Sequence, residues 1–303
     1  MGIITKFSLF ETLSDELEIM TEYELNCRLA HELSKSISYM GVKSPVSRFS
    51  KSRLITFYKS GANPNFTKKS GSDDTYGLRK RPPIFFTAMK SMGPDGLTAS
   101  IEYGADLINA VDTRFNNENI LFYLASNWDK MSSQVPSKRP EVCLEILKNN
   151  GMDINQKNEK GDTISHVILR DFEKLDALET IRILISAGID PTIIGMGGDT
   201  LLHIIAQFPF TDPMEKSGEI IDYLINDFNL DVNALDDNGM TAGHWAIIYG
   251  NNSAMDSLLR HNCDVTIKNK DGRTLHDLYL YRYVGFPKLM SPEWKSIEKK
   301  LNS

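Results

Sequence analysis

The frame Gly-x-Thr-x-x-His occurs three times: Gly161–His166 in GDTISHVILR, Gly198–His203 in GDTLLHIIAQF and Gly239–His244 in GMTAGHWAIIYG. No other feature constrains the fold as tightly. A frame that recurs along a chain points to one supersecondary unit used repeatedly, and such a unit buries its apolar face only by stacking on its neighbours. Each histidine opens an apolar run: HVIL, HIIA and HWAI. A second apolar segment follows each one: LETIRILISAG, GEIIDYLINDF and AMDSLLRHN. Their apolar residues recur at i, i+3 and i+4, the spacing of one helix face. Each then closes in a turn: GIDPTII, NLDVNALD and NCDVTIKN. The unit is therefore turn, short helix, loop, second helix, turn.

The closing turn also recurs upstream, in KSGANPNFTK, EYGADLINAVD and NNGMDINQKN. Its marker residues are Asn63, Asp106, Asp153, Asp190, Asp231 and Asp264, separated by 43, 47, 37, 41 and 33 residues. The pattern resembles the ankyrin repeat, a unit of about 33 residues with a β-turn, two helices and a T-P-L-H-x-A signature. Thr200-Leu-Leu-His203-Ile-Ile-Ala206 is the nearest copy, followed by Thr241–Ala246 and Thr163–His166. Pro83–Ala88 and Ile120–Ala125 keep the apolar frame but carry Phe86 and Tyr123 in the histidine's place, and Thr274-Leu-His-Asp277 puts an aspartate there. The resemblance covers roughly residues 52 to 280. It implies an all-α ankyrin-repeat solenoid of about six helix-turn-helix units with hairpin-like turns. Extra length is expected as insertions near residues 67–83, 127–140, 170–177 and 207–218. The domain reading is an N-terminal helical cap or small helical module over 1–50, repeats over 51–280 and a capping helix over 281–303.

The resemblance also answers for the histidines. It implies that Thr163, His166, Thr200, His203, Thr241 and His244 bond backbone groups at the turn, pairing helix-start donors left without intrahelical acceptors. Imidazoles one repeat apart cannot share an ion, so no metal is expected, and no cofactor. The nearest thing to catalytic chemistry is Cys27 with His31, at i and i+4 on one helix face, where a thiol and an imidazole could meet. Cys27 also continues the stripe Leu9, Leu13, Leu17, Met20, Tyr23, Cys27, Ala30, which makes it a core residue on the structural reading. The pair His261 and Cys263 falls short of the four ligands zinc takes. GMGGDT (195–200) lacks the lysine of a phosphate loop and sits where glycine serves a turn.

Composition narrows the partner. The chain has 303 residues, a net charge of −6 and three widely spaced cysteines, an odd count that fits a reducing compartment better than a disulfide framework. No apolar run approaches the ~20 residues of a membrane span, and the N-terminus has no signal-peptide pattern. Residues 141–240 carry 19 acidic against 7 basic side chains, a net of −12, with about +3 on either flank. Such a middle repels phosphate, so nucleic acid is not expected. It suits a basic partner, and equally a merely solvated surface. A protein partner is expected on the concave face, at the hairpin tips (Lys160, Asp162, Met196, Asn238 and Met240), along the first helix (Trp245, Tyr249) and on the insertions (Trp128, Phe208 and Phe210). Worn repeats and an Ile-, Asn- and Lys-rich composition are similar to the ankyrin effectors of intracellular bacteria such as Legionella and Coxiella. That resemblance implies synthesis in a bacterial cytoplasm, secretion into a host cell and a eukaryotic host protein as partner. LMSPEWKSIEKKL faintly resembles the start of an F-box, which would imply a ubiquitin-ligase adaptor.

Overall fold

A computed structural model describes residues 17, 20–38, 50–67, 82–114, 117–132, 139–170, 176–208 and 216–284. They belong to two compact units, residues 1–154 and 155–303. Both are mostly helical. Among the described residues the one β-ladder pairs β1 (Val111–Asp112) antiparallel with β2 (Glu118–Asn119). None of the described helices is long and apolar enough to cross a membrane.

The first unit opens with α1 (Glu22–Ser38). Thr21 starts it with a reciprocal cap: the Thr21 amide donates to Glu24 Oε2 at 2.9 Å and the Glu24 amide to Thr21 Oγ1 at 3.3 Å. Leu25, Leu29 and Leu33 form its buried face, with Cys27 and Ala30 beside them. Tyr23, which the apolar stripe in the sequence places inward, is exposed and sets its edge against the Phe66 ring. Then come α2 (Lys51–Lys59), α3 (Ile84–Met92), α4 (Pro94–Glu102), α5 (Ile120–Ala125), α6 (Trp128–Ser132) and α7 (Pro140–Asn149). Helix α1 packs on α3, α2 on α4, and α5 on α7. Part of the expected 127–140 insertion is thus the short helix α6, which buries Trp128 and Met131.

The second unit repeats one plan. Helices α8 (Ile164–Arg170), α10 (Leu201–Ala206), α12 (Ala242–Tyr249) and α14 (Leu275–Tyr279) each pack on the next. Helices α9 (Ala177–Ser186), α11 (Ser217–Phe228) and α13 (Asn252–Arg260) form a second row in the same order. The core runs between the rows, through Leu202, Ile205, Ile221, Leu224, Ile247 and Leu258. Each such side chain contributes about 1.5–3 kcal/mol by leaving water. The first-row helices are only one to two turns long, too short to persist alone, so they exist because their neighbours cover them. A π-helical turn (Leu280–Val284) ends the described chain.

Candidate interaction surface

The three histidines each join two repeats. His203 Nδ1 accepts from the Thr200 amide at 3.1 Å and lies 2.8 Å from Thr200 Oγ1, while Nε2 donates to the Met240 carbonyl at 3.0 Å. His244 repeats this on Thr241, reaching the Arg273 carbonyl at 3.3 Å. His166 bonds Thr163 Oγ1 at 2.7 Å and the Asp199 carbonyl at 3.2 Å. A carbonyl can only accept, so Nε2 carries a proton in all three rings, and in His203 and His244 the threonine amide makes Nδ1 the acceptor. Burial pushes His166 down to about 4, against the opposing pull of Asp162, and also lowers His244. In the last repeat the Asp277 carboxylate takes the imidazole's place, accepting from the Thr274 amide at 2.9 Å, and those bonds hold it below the usual carboxylate range. It has no proton to pass on. Among the described residues no group of three His, Cys, Asp or Glu side chains comes together to hold a metal.

The hairpins before these helices share a second plan. Asn158, Asp236 and Asn269 each turn a side-chain oxygen onto amides two and four residues ahead, at 2.7 to 3.0 Å. The fourth residue is a left-handed glycine in each: Gly161, Gly239 and Gly272. The hairpin at 195–199 begins with Gly195 instead, and Asp162 of the preceding repeat accepts from the Met196 amide at 2.9 Å. A Cβ at Gly195 would lie 2.3 Å from His166 Cδ2, so glycine is what lets that ring in. Adjacent hairpins are bonded edge to edge: the Asp237 amide to the Gly197 carbonyl at 2.7 Å and the Lys270 amide to the Asn238 carbonyl at 3.0 Å.

At the opposite ends of the units the marker residues close the repeats. Asp190, Asp231 and Asp264 accept from amides two residues on. Asn155 and Asn233, two places after a marker, accept from the amides of the next markers, Asp190 and Asp264, at 2.9 and 2.7 Å. The same bond occurs within the first unit, from the Asp106 amide to Asn65 and from the Asn63 amide to Asn26 of α1, both at 2.7 Å. The sequence marks the aspartates. The asparagines two places later go unnoticed because a polar residue in a turn carries no periodic signal.

The residues expected to meet a partner divide sharply. Lys160 and Asn238 are exposed, as are Met196 (42% exposed) and Tyr249 (41%). Trp245 is half-buried, its indole N–H donating to Asp236 Oδ2 at 3.0 Å. Asp162, Met240, Trp128 and Phe208 are buried, a correction to the surface expected of them. Asp162 is turned in by the Met196 amide and Arg170. The Met240 carbonyl receives His203, and its side chain and that of Phe208 belong to the apolar core. Phe210, the C-terminal segment likened to an F-box and most of the insertion residues lie outside the described residues. Among the exposed apolar side chains that were not anticipated are Ile194 (50%) and Leu235 (53%), each directly before a hairpin. Aligning the hairpins on their glycines brings both into one column. Cys27 is 1% exposed inside the first unit's core, away from any soluble substrate, and His31 on the same helix is half-buried.

Residues 173–269 match the family model for ankyrin repeats, in three copies. Ankyrin repeats are found in this chain. The match takes in the frames at Gly198 and Gly239. The frame at Gly161 lies just outside it, yet shares the threonine–histidine bond, the left-handed glycine and the bridge to the next turn. Ankyrin repeats are protein-interaction modules and typically have no catalytic activity of their own. No curated protein matches the chain.

Proposed function

We propose that this chain recognises another protein through the hairpins and first-row helices of an ankyrin solenoid, and performs no chemistry itself. The observation that carries this is the division of labour along the hairpins. Their histidines, Asx side chains and glycines satisfy the scaffold, while Met196, Tyr249, Ile194 and Leu235 are left in solvent although water is unfavourable for them. In this reading the repeats extend over 51–280, supported by the matching turn bonds of Asn65 and Asn26. Residues 1–50 and 281–303 close the ends, because a terminal repeat leaves an apolar face to cover.

We further place the partner in a eukaryotic host cell and read the chain as a secreted bacterial effector. The support for this is the resemblance in worn repeats and composition, an analogy of family. The test is an affinity capture from eukaryotic lysate with the intact chain and with a Met196→Ala, Asn238→Ala, Tyr249→Ala variant. A protein held by the intact chain and released by the folded variant establishes the function and its surface. A protein held by both moves the surface elsewhere, and capture of nothing removes the reading.

A further inference from the structure

We propose that the hairpin edge of the second unit binds an extended protein segment with an apolar centre and acidic residues at both ends; this rests on the recognition function above and names the chemistry of its partner. The column directly before the four hairpins reads Lys157, Ile194, Leu235, Lys268. All four side chains are exposed. The hairpins stand in this order because each is hydrogen-bonded to the next: Asp162 to the Met196 amide, Gly197 to the Asp237 amide and Asn238 to the Lys270 amide. Two aliphatic side chains therefore lie side by side with a lysine beyond each end.

The surrounding charge points the same way. The exposed charged residues of the four hairpins are basic at Lys157, Lys160, Lys268, Lys270 and Arg273, and acidic at Glu159, Asp237 and Asp271. All five cations lie on the two outer hairpins, Lys157 with Lys160 beside Glu159 and Lys268 with Lys270 and Arg273 beside Asp271, and only Asp237 lies between. The acidity of this part of the sequence sits elsewhere. Asp176, Glu179, Glu219, Asp222 and Asp227 are on the second-row helices, and Asp190, Asp231 and Asp264 are on the closing turns. The strongly negative middle of the sequence thus presents a locally positive, apolar-centred edge. A basic segment would meet lysines there, whereas an acidic one is attracted and its apolar centre covers Ile194 and Leu235. Helices pack about 8–10 Å apart, so four hairpins span roughly 25–30 Å, the length of about eight extended residues.

The test is selection of random dodecapeptides, displayed on phage, against the full chain, followed by affinity measurement of the recovered peptides on the chain and on two variants, Leu235→Asp and Lys157→Glu/Lys268→Glu. Both variants change exposed side chains, and circular dichroism checks that they fold. The expected peptides carry Leu, Ile, Val or Phe between acidic ends. They bind roughly tenfold or more weakly to each variant, and more weakly as salt rises from about 0.05 to about 0.5 M. Basic or uncharged peptides, peptides that bind both variants equally, or recovery of none overturn the proposal. A concentration-dependent dimer in sedimentation that Leu235→Asp abolishes also overturns it, by assigning the edge to a second copy. If this proposal fails while the lysate capture still yields a partner sensitive to Tyr249, recognition stands and only its assigned chemistry falls.

Discussion

A buried histidine that must stay neutral is both a fastener and a liability. His203 satisfies the Thr200 amide at the start of α10 and bridges to the Met240 carbonyl. Removing it leaves the Thr200 amide without its acceptor, takes one of two donors from the Met240 carbonyl, which keeps the Asp236 amide, and opens a small void. His203→Ala is expected to cost about 1–3 kcal/mol, seen as a lower urea midpoint with an unchanged slope. His166 and His244 make stability depend on pH. Both are held below their ordinary value of 6.5, His166 to about 4. Above pH 6.5 folded and unfolded chains are alike neutral at these sites, and the stabilisation is complete. As pH falls from there toward 4, the unfolded chain takes up protons that the folded chain resists, and stability is lost. For His166 alone the shift corresponds to ~3 kcal/mol. Urea unfolding at several pH values across that window is expected to show the loss, with a shallower slope in His166→Phe. An equal slope would assign the acid sensitivity to the carboxylates.

At the scale of elements, one asparagine holds three helices. Asn251 caps α13 by accepting from the Ala254 amide at 3.0 Å. Its amide nitrogen donates to the Ile205 carbonyl at 3.1 Å, the Phe208 carbonyl at 3.4 Å and Ser217 Oγ at 3.1 Å, tying the end of α10 to the start of α11. Asn251→Asp keeps the cap and loses the donor, whereas Asn251→Ala loses both. Each is expected to destabilise by about 2 kcal/mol or more. Asp should be no milder than Ala, because it turns a carboxylate toward carbonyl oxygens; thermal melts of the pair decide the point. This element scale is also where the sequence was most and least informative. The period of Thr–His frames located α8, α10 and α12 from their first residue, since a cap is a local event written in adjacent letters. The role of Asn251 was invisible because all of its donor bonds cross 34 to 46 residues. The reversal at Asp162 and Met240 has the same origin. Their register reads as a hairpin tip, and only packing across repeats turns Asp162 to the Met196 amide and the Met240 side chain into the apolar core.

Across the molecule, surface and interior separate cleanly enough to be tested by what leaves stability alone. Leu235→Asp and Lys268→Glu change exposed side chains that bury no apolar surface in the core and are expected to shift stability by no more than about 0.5 kcal/mol, measured by denaturation. Ile221→Ala, between the rows, is expected to cost about 2–5 kcal/mol. The cysteines report on the whole fold at once. Cys27, Cys143 and Cys263 are all buried thiols, so an alkylating reagent at neutral pH is expected to modify none of them until denaturant is added, and then all three. Rapid labelling of native Cys27 would reopen the thiol chemistry that its i, i+4 partner His31 suggests.

The histidine bridges also give the second unit a grain. Every bridge is anchored in its own repeat and donates forward, to a carbonyl of the next. Shortening the unit from its C-terminal side strands an N–H donor in an apolar setting. Shortening it from its N-terminal side strands no carbonyl, because Asp199, Met240 and Arg273 each also accept the amide that closes their own hairpin. Asp277, which accepts but cannot donate, is the one residue in that series where the row can stop without a loose end. A shortened form that keeps Asp277 and its turn should therefore survive trimming better than one cut after Tyr249. By the same logic, Asp277→His would make a terminus that waits for another repeat.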